Sequence, residues 1–228
     1  MSLFMRGALS FALAVLVSPS FVAGAERWKV LFDGKSTDAW RGYNRDAFPA
    51  GVWVVEGGAL KTVPGAKDPV DIITKDKYKD FELEVEWKIS PGGNSGIIYR
   101  VAELPAPSQT YQTGPEMQVL DDDEHKDGKD PRTSAGALYA LIAATNKTLK
   151  PVGEWNKARI VVKGGQVEHW LNGAKVVGYE WGSAELKDLI AASKFKEWPR
   201  FATEAEGHIA LQYHGDAVWY RNVRIRKL

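Results

Sequence analysis

Residues 81–89 read Phe81-Glu82-Leu83-Glu84-Val85-Glu86-Trp87-Lys88-Ile89. Apolar and polar residues alternate without a break. Successive side chains of a strand point to opposite faces, so this period of two predicts a strand with one dry and one wet face. Phe81, Leu83, Val85, Trp87 and Ile89 would enter a core, while Glu82, Glu84, Glu86 and Lys88 would face water. That division is typical of an antiparallel sheet covered on one side only.

The surrounding sequence repeats the pattern. Pro91-Gly92-Gly93-Asn94-Ser95-Gly96 reads as a turn, after which Gly96-Ile97-Ile98-Tyr99-Arg100-Val101 resumes a strand. On that strand Ile97, Tyr99 and Val101 would share one face, and Ile98 and Arg100 the other. Gly164-Gly165 lies between Arg159–Lys163 and Gln166–Leu171, and Asn172-Gly173 separates the latter from Lys175–Tyr179. Both are hairpin signals, because glycine and asparagine tolerate positive φ. Residues 208–226 give a strand, a Gly215-Asp216 turn and a final strand. One segment looks helical: Ser183 would cap Ala184 to Lys194, with Leu186, Leu189 and Ile190 on one face. Many short strands without repeats or linkers predict an all-β protein, a β-sandwich or jelly roll with one short helix, in a single domain over residues 26–228.

The chain has 228 residues, 44% of them hydrophobic, which is enough for one sizeable core. A net charge of +1 with dispersed Lys and Arg gives no reason to expect nucleic acid or an anionic membrane as partner. Residues 1–25 read as a secretory signal peptide: Arg6, an apolar run from Ala8 to Val17, then Ala23-Gly24-Ala25 as the cleavage site. The run is too short to span a bilayer, and no Cys follows it to carry a lipid. The expectation is a periplasmic or secreted protein with no stable membrane anchor, beginning near Glu26. The absence of cysteine excludes disulfides, thiol nucleophiles and thiolate metal ligands. Most of the nine Trp and eight Tyr are expected in the core, the rest being available to stack on sugar rings.

The residues able to do chemistry gather elsewhere. Residues 114–128 read Gly-Pro-Glu-Met-Gln-Val-Leu-Asp-Asp-Asp-Glu-His-Lys-Asp-Gly. Alternation turns Met117 and Val119 inward and Glu116 and Gln118 to an open face. In the C-terminal strand Ile209, Leu211 and Tyr213 would point inward, and His208, Ala210, Gln212 and His214 outward. Three strands would thus offer Glu, Gln, His or Arg to one polar groove. Of the four histidines, His169 alternates with Val167 and Leu171 and reads as an inward, satisfied residue, and His208 as structural. His125 and His214 are candidate proton shuttles. The acidic turn after Leu120 lacks the full EF-hand spacing, so no metal site is expected. Serine nucleophile catalysis has no G-x-S-x-G to support it. Glu116-x-Gln118-x-x-Asp121 partly matches the E-x-D-x-x-E strand of jelly-roll retaining glucanases, with Gln and Asp in place of Asp and Glu.

Blocks along the whole of residues 26–228 carry a family resemblance. They include Leu31-Phe32-Asp33-Gly34-Lys35 with Trp40, Phe81–Trp87, Asn94–Arg100, Glu116–Asp121 and Gly136-Ala137-Leu138-Tyr139. They continue through Gly153-Glu154-Trp155-Asn156 and Glu168–Gly173 to Gly207–Leu228. In order and spacing the chain resembles the bacterial 3-keto-disaccharide hydrolase family. It departs at Tyr213, where the family often has an acid before His-Gly-Asp. The resemblance implies a concanavalin A-like jelly roll and cleavage of sugars already oxidised at C3. A C3 ketone acidifies the C2 proton, so the C1 substituent can leave by elimination and water can add back. The candidate catalytic residues are then Glu116, His125 and His214, with Arg100, Gln118, Asp121, Tyr139 and Gln212 binding substrate and no cofactor. Which histidine is acid or base stays open. Two other readings stand beside it: a retaining glycosidase using Glu116 and Asp121, and a carbohydrate-binding module without catalysis.

Overall fold

The computed structural model describes residues 27–228. The signal peptide expected over residues 1–25 lies outside them. In chain order the strands are β1 (Lys29–Phe32), β2 (Trp40–Gly42), β3 (Trp53–Glu56), β4 (Ala59–Thr62), β5 (Ile72–Thr74), β6 (Phe81–Ile89) and β7 (Asn94–Val101). They continue with β8 (Glu116–Leu120), β9 (Asn156–Lys163), β10 (Gln166–Leu171), β11 (Ala174–Glu180), β12 (His208–Leu211) and β13 (Val218–Lys227). One helix, α1, spans Ala184–Ala191.

The strands form two antiparallel sheets. The larger runs β11-β10-β9-β6-β13-β4-β3, with β1 also paired to β13; the smaller runs β2-β5-β12-β7-β8. Phe81, Leu83, Val85, Trp87 and Ile89 of β6 all enter the core, where they join Ile97, Tyr99, Met117, Val119, Ile209 and Leu211 of the smaller sheet. This is the sandwich that the alternation of β6 predicts. Each fully buried large apolar side chain contributes roughly 1.5–3 kcal/mol, which lets the fold stand without cross-links.

The outer face of the larger sheet is less wet than its sequence implies. Glu82, Glu84 and Glu86 pair across to Arg226, Arg224 and Arg221 of β13, the last two at 2.6 and 2.8 Å. Glu82 is itself buried and also receives Arg159 at 3.1 Å. The tryptophans divide more evenly than expected. Trp40, Trp53 and Trp87 are in the core, but Trp28, Trp155, Trp170 and Trp219 lie half-buried beneath Arg and Lys side chains.

Both glycine hairpins form with positive φ at each central residue, 55° and 89° at Gly164-Gly165, and 50° and 88° at Asn172-Gly173. Ser183 caps α1 by accepting from the Leu186 amide at 3.1 Å. The helix stops at Ala191, short of Lys194, because Ser193 caps a separate 3-10 turn over Lys194–Glu197. That break matters below, since it changes where Lys194 points.

Strand β7 contains the one departure that moves a candidate residue. Val101 pairs with His208, but Ile98 pairs with Ala210, so Tyr99 and Arg100 together oppose Ile209. Arg100 takes up the extra residue of this bulge with φ 53°. Val101 therefore joins Ile98 on the outer face, and Arg100 turns the other way.

Candidate active site

The outer face of the smaller sheet carries a pocket of about 220 Å³ lined by Asn94, Tyr111, Glu116, Gln118, Tyr139, Lys194, Phe195, Gln212 and His214. It is smaller than the ~300–1,000 Å³ of sites for drug-sized ligands.

Strand β8 supplies its floor. Glu116 and Gln118 alternate with Met117 and Val119, which are in the core. The free edge of β8 is covered by the segment around Gly136–Ile142: the Tyr139 amide donates to Glu116 O at 3.0 Å and the Gln118 amide to Ala137 O at 3.1 Å. This pairing brings Tyr139 beside Glu116. On the other side β7 contributes Gly96. A methyl group there would lie 2.0 Å from Glu116 Oε1, so the carboxyl rests directly on the Gly96 backbone. Gln212 follows β12, its amide donating to Gly96 O at 3.0 Å, and His214 follows Gln212 at the pocket mouth.

The roof comes from the connection between β11 and β12. Lys194 sits over the Tyr139 ring, 4.5 Å from its centre. Phe195 stacks on Phe201 at 3.9 Å, and Trp198 bridges from Phe195 to Tyr111.

Electrostatics separates the titratable groups. Burial, with Asp71 and Asp127 nearby, pushes the Glu116 carboxyl up to about 8 against a smaller opposing effect of Lys194. Loss of hydration holds His214 below its ordinary value; His125 and Lys126 add to this, while Asp216 and Asp127 oppose it. At neutral pH the pocket therefore holds a protonated carboxyl and a neutral imidazole. Two buried acceptors, Asn94 Oδ1 and Gln118 Oε1, have no protein partner. Unmet buried acceptors of this kind call for donors from a ligand or water.

Of the residues expected from sequence, Glu116, Gln118, Tyr139, Gln212 and His214 meet in the pocket. His125 stands next to it: its ring centre is 6.4 Å from that of His214, and its Nδ1 accepts from the Asp127 amide at 3.1 Å. Two expectations are corrected. Arg100 points away, because of its bulge, and donates to Lys79 O at 3.1 Å with its guanidinium 4.2 Å over Trp181. Asp121 caps the turn that follows β8, accepting from the amides of Gly92 at 2.7 Å and Asp123 at 3.1 Å. It borders a different cavity, with Trp87, Leu120 and Glu154. His169 is buried as expected, between Tyr99 Oη at 2.9 Å and Gly136 O at 3.2 Å. Burial lowers it to about 4. Asn94, Tyr111, Lys194 and Phe195 line the pocket without having been anticipated. Among the described residues, no cluster of three His, Cys, Asp or Glu side chains is placed to hold a metal ion, and no helix is long and apolar enough to cross a membrane.

Residues 27–226 match the family model described as the 3-keto-alpha-glucoside-1,2-lyase-like domain. The chain belongs to the 3-keto-disaccharide hydrolase family. A family relative, the 3-keto-disaccharide hydrolase of Bacteroides thetaiotaomicron, is 38% identical over 96% of this chain and 84% of its own length. Among solved structures, a candidate glycosyl hydrolase from Parabacteroides distasonis shares 32% identity with a TM-score of 0.81, over 93% of this chain and 98% of its own. A non-specific endo-β-1,3(4)-glucanase superposes with a TM-score of 0.52 at 11% identity, over 88% of this chain and 92% of its own, which places the two in one jelly-roll fold. A 3-keto-disaccharide hydrolase family member with this fold is a glycoside-cleaving enzyme whose substrate is a carbohydrate.

Proposed function

We propose that the enzyme cleaves 3-keto-glycosides by elimination followed by hydration, with His214 as base and Glu116 as acid. The observation that carries this reading is the meeting, in one pocket, of the buried Glu116 carboxyl with the His214 imidazole at its mouth, and their protonation preferences are opposed. Groups whose environments push their pKa values apart divide naturally into acid and base. Neutral His214 removes the C2 proton, which the adjacent C3 ketone has acidified. The electron pair enters the C3 carbonyl as an enolate, and the Lys194 ammonium is near to offset its charge. The enolate then expels the C1 oxygen, which takes the Glu116 proton as the C1–O bond breaks, leaving a C1=C2 enone. In the return step the Glu116 carboxylate takes a proton from the water attacking C1, and protonated His214 returns one to C2. Asn94 and Gln118 accept from ring hydroxyls, Tyr111 and Phe195 wall the ring, and His125 packs edge-on against His214. A retaining glycosidase would need a second carboxylate facing Glu116, a place that Asp121 does not take.

Incubation in D₂O with a 3-keto-disaccharide and its unoxidised parent tests the proposal. Only the keto sugar should be cleaved, with deuterium at C2 of the product. Cleavage of the parent, or product without deuterium, would reject elimination. The kcat/KM profile should be a bell: rising with pH below 6.5 as His214 loses its proton, and falling above about 8 as Glu116 does. His214→Ala should lose at least about 10²-fold in turnover.

The proposal includes export, on the strength of Ala23-Gly24-Ala25 after the Ala8–Val17 run. Terminal sequencing of protein from periplasm or medium should read from near Glu26; an intact Met1 there would overturn it.

A further inference from the structure

A second buried carboxylate lies behind the pocket and takes no part in the chemistry just described. Asp71 precedes β5 and is only 6% exposed. Ile72 of β5 points into the main core and Ile73 to the outer face, so Asp71 shares the outer face with the pocket residues. Its Oδ1 accepts from the Tyr213 amide at 2.8 Å, and its Oδ2 accepts from the Thr110 hydroxyl. Tyr213 lies between Gln212 and His214, and Thr110 precedes Tyr111. One carboxylate thus ties down both segments that carry pocket residues on this side.

The sheet also brings Asp71 close to Glu116. The order β5-β12-β7-β8 puts two strands between them, at about 4.8 Å per step. The two side chains lean toward each other across those strands. Asp71 bonds to the chain leaving β12, and the Glu116 carboxyl leans over Gly96 of β7. The groups acting on Asp71 are burial and its two donors, with no basic side chain among them. Two carboxyls in one buried region cannot both ionise cheaply. The one with hydrogen-bond donors keeps its charge more readily: Asp71 is pushed up only to about 6 and Glu116 to about 8. The other charged groups felt by Glu116 are Lys194, which opposes this, and Asp127, which adds to it, with His214 and His125 at the mouth.

We propose that Asp71 is a positioning residue for the elimination: its buried negative charge keeps the proton on Glu116, and its two hydrogen bonds hold Tyr111 and His214 against the bound ring. This rests on the 3-keto-glycoside reading above. Asp71 touches no reacting atom and works through Glu116.

Asp71→Asn tests it, because asparagine keeps an acceptor for the Tyr213 amide while removing the charge. With a 3-keto-disaccharide as substrate, the alkaline limb of kcat/KM should move to lower pH by at least about half a unit, since Glu116 would ionise more easily. The acid limb, set by His214, should stay in place. A wild-type enzyme inert toward the keto sugar would reject the underlying reading. A wild-type bell with an Asp71→Asn alkaline limb that superposes on it would overturn the role of Asp71 alone. Carboxyl ¹³C NMR of the wild-type protein needs neither turnover nor a folded variant: Asp71 should lose its proton at lower pH than Glu116, and the reverse order would overturn the proposal.

Discussion

Glu116→Gln should give a folded, more stable and nearly inactive enzyme. Removing a general acid typically costs about 10²–10⁴-fold, and glutamine cannot protonate the leaving oxygen. The stability gain follows from linkage. The Glu116 carboxyl titrates at about 8 in the folded chain against 4.5 for an ordinary glutamate. From pH 4.5 upward the unfolded chain loses this proton while the folded chain keeps it, so rising pH favours unfolding until about pH 8. At pH 7 the cost is on the order of 3 kcal/mol. The glutamine variant does not bear it. Urea melts of both proteins at pH 4 and pH 7 measure the difference, which should be small at pH 4 and favour the variant at pH 7. An equal difference at both would mean that Glu116 is ionised like a surface residue.

Gly96→Ala should be nearly as damaging to activity, for a different reason. The backbone at 96 accepts a side chain, since Gly96 is not among the positive-φ positions. The three atoms nearest the added methyl all belong to Glu116, with Oε1, Cδ and Cγ at 2.0, 2.6 and 2.7 Å. The chain should fold, with the carboxyl displaced into the pocket. A misplacement of about 1 Å can cost 10²-fold, and a loss of that size is expected. Combining Gly96→Ala with Glu116→Gln should add little to the loss from Glu116→Gln alone, because both act on one group. Full activity in Gly96→Ala would show that the acid works from another position.

The legible parts of this molecule are those governed by period two. Strand β6 fixed the choice of a sandwich, and the same alternation put Glu116, Gln118, Gln212 and His214 on an open face. It failed at Arg100, where a bulge adds one residue and reverses every later side chain of the strand. Nothing in Ile98-Tyr99-Arg100-Val101 marks that bulge. It is set by pairing with β12, more than a hundred residues on. Asp121 misled through motif spacing: its amide donors at Gly92 and Asp123 belong to a turn that the pattern of acids does not reveal. Lys194 and Phe195 were hidden by an apparent continuation of α1. The second cap, Ser193, was the available signal, and it precedes both residues. Asp71 had no signal of its own, being one polar residue before a short apolar run.

The connection from Trp181 to Gly207 has a consequence for how relatives diverge. The proposed acid and base are carried by a strand and the end of another, where a change in one residue disturbs neighbours on both sides. Lys194 and Phe195 sit on a capped turn outside the sheets, which can be shortened, lengthened or rewritten without altering strand register. Within such a lineage, the walls that a sugar packs against are free to drift through this connection, except at Lys194, which the proposed chemistry holds in place.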